Sequence, residues 1–400
     1  MSGADPSHTI AEVQGLYGPF TFSERLLQKI WDRGDFDSRR LTTLDGRPVI
    51  LENRGKWNGL AGPDFRQARV RIGDAIKTGD VELHLYADDW IAHRHAEDRA
   101  YSDVCLHVVL FPPSAAHRTI GCDGSEIPVV VLLPVLRHDL EEYAAEDAVE
   151  TMANRSCDQL RDALRELEPV QIRQHLMDGA MRRWRRKVHY AKLRIERLGF
   201  DEACHQTAME VLGYRFNRVP MLNLAARYQL EKWPAVSAEA IEVMLIEEHA
   251  NWARGGVRPA NQPRRRLQQY AQWVAACPQW PTALVEAGAA WPAPALTDST
   301  RTVRGSGGLS GIKAHLAQHI CGDALGGTRL DTMVCDALLP LLSVRSSRDL
   351  AGIWWHWWPG DLPGFAEPAR AEIGRAVLPF CQGAVQGLID WTFELEAETS

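Results

Sequence analysis

Seven carboxylate and imidazole side chains crowd into 79-GDVELHLYADDWIAHRH-95: Asp80, Glu82, His84, Asp88, Asp89, His93 and His95. The first half alternates like a half-buried strand, which puts Glu82 and His84 on one strand face. Upstream, Asp64 sits in 62-GPDF-65. Two carboxylates on adjacent strand ends form the smallest oxygen cradle for Mg²⁺ or Mn²⁺, ions that keep several waters for substrate phosphates. Such an ion lowers the pKa of a bound water and offsets charge on a scissile phosphate. His84, with a reference pKa of about 6.5, is on hand as base, acid or ligand. A different grouping of His84, His93 and His95 with an acid has the donor set of a Zn²⁺ site.

The oxygen cradle forms only if the chain doubles back. The run FRQARVRI-GD-AIKTGDVELHL reads as a hairpin turning at Gly73-Asp74. A two-residue turn pairs position 72 with 75, and therefore 64 with 83. That register sends Asp64 to the face of Leu83, because one residue of slip exchanges the faces of a strand. One bulge, or a three-residue turn, brings Asp64, Glu82 and His84 to the same side.

The elements that must position these groups follow from periodicity. In 22-FSERLLQKIWDRGDF-36, Ser23 can cap a helix whose apolar stripe is Leu26, Leu27, Ile30 and Trp31. Strand character marks 47-RPVILENRG-55, 65-FRQARVRIG-73, 79-GDVELHL-85, 103-DVCLHVVLF-111 and 127-IPVVVLLP-134. DVCLHVVLF is apolar on both faces apart from His107, which suits a central strand covered on both sides and a hydrogen-bonded core histidine. The intervening 87-ADDWIAHRHAEDRAY-101 reads as a helix. There, residues two apart point about 200° from each other. His93 and His95 would then be accessory groups at most, with Asp89 reaching His93 and His95 reaching Asp98. On a strand or extended turn they would share a face.

Pro63-Asp64 followed by Glu82-Leu83-His84 on the next strand resembles the PD-(D/E)XK nuclease signature, with His in place of the usual Lys. The order helix, three strands, helix, strand resembles the core of that superfamily over roughly residues 20–135. The resemblance implies an α/β fold with a mixed sheet flanked by helices. It also implies a metal-dependent hydrolase acting on phosphodiester bonds in DNA or RNA. It makes Asp64 and Glu82 catalytic metal ligands, the Leu83 carbonyl a further ligand, and His84 the group facing the attacking water. Glu24 matches the extra acid that some members carry on the first helix. A neutral His differs from a Lys ammonium in lacking a permanent positive charge beside the phosphate. The stretches 58-NGLAGPDF-65, 79-GDVELH-84, 89-DWIAHRH-95, 106-LHVV-109 and 257-VRPANQPRRRL-267 also look like an uncharacterised bacterial family known only as a domain of unknown function. Two other functions stand beside the nuclease reading: a zinc-dependent hydrolase of a small substrate, and a non-catalytic protein that binds nucleic acid or a partner.

The 400 residues, 45% hydrophobic with 14 Trp, predict two or more globular units. We expect a flexible tail at 1–17, the nuclease-like domain at 18–135, a helical domain at 136–286 and a C-terminal helical subdomain at 287–400. The net charge of -7 excludes a wholly basic nucleic-acid coat but not a local basic groove. The eight cysteines show no CxxC spacing, which fits a reducing compartment. The N-terminal residues have no signal-peptide pattern and no apolar run nears the roughly 20 residues of a membrane span. A cytoplasmic protein with no membrane partner is expected; nothing sets the oligomeric state.

The run 182-RRWRRKVHYAKLRIER-197 offers Arg182, Arg183, Arg185, Arg186 and Lys187 with Trp184 interleaved. It could track a phosphate backbone with aromatics stacking on bases; a helix face paired with nearby acids is equally compatible. The glycines of 304-RGSGGLSGIKAH-315 miss the Walker spacing and predict a plain loop. The four Trp of 353-IWWHWW-358 predict core anchors.

Overall fold

The computed structural model describes residues 12–13, 22–113, 116–152, 158–248, 251–253, 259–305, 308–359 and 366–399. The chain forms two compact units, Met1–Ala148 and Val149–Ser400. The first is built on a mixed sheet and the second is mostly helical. Within the stretch expected as a tail, β1 (Glu12–Val13) pairs antiparallel with β2 (Phe22–Ser23); the rest of that tail lies outside the described residues.

Helix α1 (Glu24–Arg33) begins where its cap predicts, since the Ser23 hydroxyl accepts the Leu26 N–H at 3.2 Å. It ends at Gly34, whose φ of 66° suits a residue with no Cβ. Leu26, Leu27, Ile30 and Trp31 are its buried stripe, and the Trp31 indole N–H donates to the Arg54 carbonyl at 3.1 Å. Glu24 and Gln28, one turn apart, share a second face of this helix.

The strands that follow are β3 (Val49–Asn53), β4 (Lys56–Trp57), β5 (Phe65–Ile72), β6 (Ala75–His84), β7 (Val104–Val109), β8 (Thr119–Ile120), β9 (Glu126–Ile127) and β10 (Val129–Val131). Six of them form one sheet in the order β10-β7-β6-β5-β3, with β4 also on β5. The β10/β7 and β7/β6 pairs are parallel; β5 runs antiparallel to β6, β3 and β4. Every residue of β7 is buried, as its two-sided apolar sequence predicts.

The hairpin turns where expected: Ile72 pairs with Ala75 and Ala68 with Gly79, but Phe65 pairs with Val81. One extra residue is therefore bulged out of β5. The bulge lies at Gln67, whose φ is 59° and whose backbone N–H is satisfied by Asp80 Oδ1 at 3.0 Å. It moves Asp64 from the level of Leu83 to that of Glu82, so Asp64, Glu82 and His84 share a face. Gly79 sets the approach of β6 to β7, because a Cβ there would sit 2.3 Å from the Asp103 carbonyl oxygen and 2.9 Å from Cys105 Cβ. Gly79→Ala is expected to lower stability by about 1–3 kcal/mol through this overpacking. Denaturant melts of the two proteins side by side check it; an unchanged midpoint would mean that the strand gap is slack.

The longest helices of the second unit are α5 (Pro169–Leu198) and α6 (Phe200–Arg227), which follow α3 (Leu140–Met152) and α4 (Asp158–Arg165). Its core holds Trp184, Trp233, Trp273, Trp280, Trp354, Trp355 and Trp357. The IWWHWW segment is thus core, with His356 held by Thr300 Oγ1 at 2.7 Å and by the Ala295 carbonyl at 2.9 Å. In the glycine-containing run, residues 306–307 lie outside the described residues; Leu309–His315 is helical and Lys313 pairs with Asp331 at 2.6 Å. No helix among the described residues is long and apolar enough to cross a membrane.

Candidate metal centre

The loop leading into β5 is knitted by Asn58. Its backbone N–H donates to the Asp64 carbonyl at 2.7 Å and its side-chain amide to the Pro63 carbonyl at 2.9 Å. Gly62 takes φ 94° within this loop. Asp64 then projects beside Glu82. Glu82 Oε2 accepts the Asp64 backbone N–H at 3.0 Å, and Asp64 Oδ2 accepts the Leu83 backbone N–H at 3.0 Å. Gln28 of α1 donates its side-chain amide to Asp64 Oδ1 at 2.6 Å. The two acids anticipated as neighbours thus meet across the β5/β6 pair.

Glu24 joins them from α1. Burial, then the charges of Asp64 and Asp89, push its carboxyl up to about 8. Burial likewise raises Asp64, and burial followed by the Asp64 charge raises Glu82. Glu24 Oε1 is buried with no hydrogen-bond partner. Among the described residues, no Lys or Arg forms an ion pair with any of the three acids. One buried and two half-buried carboxylates without a cationic side chain leave the charge of any ionised member unanswered by the chain's own cations.

The neighbouring nitrogens were only partly foreseen. The expected 87–101 helix stops after α2 (Asp89–Ala92), because Arg94 turns left-handed at φ 57°, and His95–Glu97 continues as a 3₁₀ turn. This break corrects the expectation that His93 and His95 point apart. His84 Nε2 lies 3.2 Å from His93 Nδ1 and 3.2 Å from His95 Nε2. Glu82 Oε1 stands 3.4 Å from His95 Nε2 and 3.7 Å from His84 Nε2. His84 and His95 are buried and His93 is exposed at the rim. The His95 ring packs on Tyr101 with centroids 3.8 Å apart, which holds it in place. Burial and then Tyr101's acidic neighbours raise the Tyr101 phenol pKa, so it stays protonated.

His107 is a buried core histidine, as its strand predicts, but its partner is the site. His107 Nε2 lies 2.9 Å from His84 Nδ1, and His107 Nδ1 lies 2.8 Å from Thr119 Oγ1. Burial pushes His107 down to about 3 and drives His84 well below the usual histidine range, so both rings are neutral at pH 7. Gln28, Tyr101, His107 and Thr119 all line this region without any local motif to flag them. Pairing in the central strands places His107 beside Glu82, and only the register discloses that.

The basic run on α5 is largely committed elsewhere. Arg182 and Arg186 both bond Asp390, at 2.7 and 2.5 Å; Arg183 bonds Gln386 at 2.7 Å and Lys187 bonds Asp336 at 2.8 Å. Arg185 is exposed. In the 257–267 run, residues 257–258 lie outside the described residues, and Arg264 pairs with Glu242.

Comparison with known proteins adds one finding. No curated protein and no solved structure matches the chain. A family model described as a protein of unknown function, DUF2851, matches residues 24–247, more than half of the chain and the whole of the region that carries these acids and histidines. The chain therefore belongs to the DUF2851 family.

Proposed function

We propose that the protein is a metal-dependent nuclease that hydrolyses phosphodiester bonds in DNA or RNA. The observation that carries this reading is the meeting of Asp64 and Glu82 across the β5/β6 pair, with Glu24 of α1 near enough for their charges to act on it, one Glu24 oxygen without a hydrogen-bond partner, and no cationic side chain paired with any of them among the described residues. An all-oxygen donor set of this kind fits Mg²⁺ or Mn²⁺. Asp64 and Glu82 would hold the ion, with Glu24 and the Leu83 carbonyl beside them. When bound, the ion supplies charge neutralisation at the phosphate and a water of lowered pKa.

The chain's own contribution is positioning. Gln28 and the Leu83 N–H occupy one lone pair on each oxygen of Asp64, which fixes the carboxylate plane. The Asp64 N–H does the same for Glu82 Oε2 and leaves Oε1 turned toward the histidines. His84 is neutral, so it does not replace the positive charge of a lysine; it offers a lone pair near the scissile position.

Cleavage of end-labelled DNA and RNA in Mn²⁺ tests the reading. Asp64→Ala and Glu82→Ala are each expected to reduce the rate by at least about 10³-fold, in line with losing electrostatic stabilisation of developing charge. Circular dichroism should show that both remain folded. Cleavage that survives both substitutions, or that is absent from the wild type in every divalent cation, sinks the proposal. Binding of nucleic acid that ignores metal and both substitutions would point instead to a binding protein.

A further inference from the structure

The geometry points to a second, nitrogen-rich ion site beside the oxygen cradle, formed by His84 Nε2, His93 Nδ1 and His95 Nε2 with a fourth position open to water, and suited to Zn²⁺ or a similar borderline cation. Tetrahedral Zn²⁺ with Zn–N bonds near 2.0–2.1 Å requires ligand atoms about 3.3 Å apart. The spacings here are 3.2 and 3.2 Å from His84 to the two other histidines, and 3.4 and 3.7 Å from Glu82 to His95 and His84. All three histidine nitrogens lie within 4.8 Å of one another. Three imidazoles form an N₃ set, with Glu82 Oε1 bordering His84 and His95, whereas Mg²⁺ prefers oxygen donors alone.

A second observation concerns which nitrogen of His84 carries its proton. From His84 a chain of polar groups runs outward: His107 Nε2 at 2.9 Å, Thr119 Oγ1 at 2.8 Å from His107 Nδ1, His117 Nε2 at 3.1 Å from Thr119, and Asp88 Oδ1 at 3.4 Å from His117 Nδ1. Asp88 is a carboxylate and can only accept. We assign the protons from that end inward. His117 Nδ1–H faces Asp88, so His117 Nε2 accepts from the Thr119 hydroxyl. Thr119 accepts from His107 Nδ1–H, and His107 Nε2 accepts from His84 Nδ1–H. His84 Nε2 is left as a bare lone pair aimed at His93 and His95. Metal-bound histidines are held in this way, with the far nitrogen donating to a fixed acceptor. The buried members, His84, His107 and Thr119, lead out to half-buried His117 and to Asp88, which is exposed at the surface; apolar side chains would fill the buried part at lower desolvation cost.

The nitrogen site stands on these contacts alone. A link to the oxygen cradle through Glu82, whose Oε1 borders His95 and His84, rests on the hydrolytic reading above. On that reading the His84 position, which departs from the lysine of the resembling nucleases, belongs to a metal ligand.

The test uses the full chain stripped with a chelator and titrated with Co²⁺, followed by visible absorption. We expect one Co²⁺ per chain with the intense bands of a tetrahedral N/O site, displaced by stoichiometric Zn²⁺. His93 is exposed, so His93→Ala should fold. It is expected to weaken Co²⁺ binding by about 100-fold or more, beyond the roughly 10–100-fold that Thr119→Val should cost by releasing the His107 tautomer. Asp64→Asn should leave the tetrahedral bands in place. Weak octahedral bands that vanish in Asp64→Asn, or tetrahedral bands indifferent to His93→Ala, overturn the site. Mn²⁺-dependent cleavage is assayed on the same samples. Cobalt bands without cleavage sink the hydrolytic reading and keep this site; cleavage without the bands does the reverse.

Discussion

Asp64→Asn is expected to raise the melting temperature of the chelator-treated protein and, at the same time, to remove the stabilisation that Mn²⁺ gives the wild type. The opposite signs follow from one cause. Without an ion, half-buried Asp64 sits beside Glu82 and near Glu24; burial raises its own carboxyl to about 7, and burial together with the Asp64 charge raises the Glu82 and Glu24 carboxyls. Neutralising Asp64 relieves that repulsion, by roughly 1–3 kcal/mol if it corresponds to one or two units of pKa. The amide can keep the existing contacts. Its oxygen accepts the Leu83 N–H, and its NH₂ donates to Gln28 once the Gln28 amide flips to present oxygen.

In the wild type the ion does the same neutralisation from outside. At about 100 times its Kd, a cation that binds only the folded state stabilises by about 2.7 kcal/mol. For a unit of this size that is roughly 5–10 °C of melting temperature. In Asp64→Asn the shift should fall to within error. Calorimetry of both proteins with chelator and with Mn²⁺ gives the four numbers. If Asp64 is only a structural hydrogen-bond acceptor, Asn lowers stability or leaves it unchanged and Mn²⁺ moves neither protein. That outcome removes the oxygen cradle from consideration.

Several parts of this centre were legible in the chain because local chemistry dictates them. Ser23 and the stripe Leu26, Leu27, Ile30 and Trp31 define α1 by capping and periodicity alone, and with it the place of Glu24. Gly73-Asp74 between two alternating runs defines the hairpin turn. The register beyond that turn was not legible. The bulge at Gln67 needs a left-handed backbone at a residue with no intrinsic preference for it, and what stabilises it is Asp80 on the opposite strand. Strict pairing would have sent Asp64 to the wrong face.

The histidine cluster was hidden for a similar reason. Local propensity favours carrying the helix through His93 and His95, and a non-glycine residue at positive φ costs of order 1 kcal/mol or more. Arg94 adopts it because the His95 ring gains a close tilted contact with Tyr101 and an edge contact with Trp90, whose centroid lies 5.2 Å away. Both contacts are tertiary. His107 shows the limit from the other side: an apolar strand correctly marks it as buried, yet nothing in that strand discloses that its partner is His84.

Asp390→Ala is expected to destabilise the helical unit by about 2–3 kcal/mol, while Arg185→Glu leaves its stability within about 0.5 kcal/mol. The basic run that could have followed a phosphate backbone faces its own C-terminal helix, Gln382–Thr399. Arg182 and Arg186, one turn apart on α5, close on the two oxygens of Asp390; Arg183 closes on Gln386, one turn before Asp390. Trp184, buried between these cations, donates its indole N–H to Asp349 at 3.1 Å and is not available for stacking on a base. The Asp390 side chain is only 7% exposed and that of Arg186 20%, so removing the carboxylate takes a charged acceptor from a largely buried guanidinium. Breaking a fully buried pair costs about 3–5 kcal/mol; the 43% exposure of Arg182 lets water recover part of that. Urea melts measure the stability, and the salt dependence of binding to a labelled oligonucleotide separates the two roles of the run. A phosphate contact at Arg185 would lower the slope of log K against log salt by about one. The helix clamp predicts no change in that slope for Arg185→Glu. A lowered slope together with an unperturbed melt of Asp390→Ala would return the run to nucleic-acid binding.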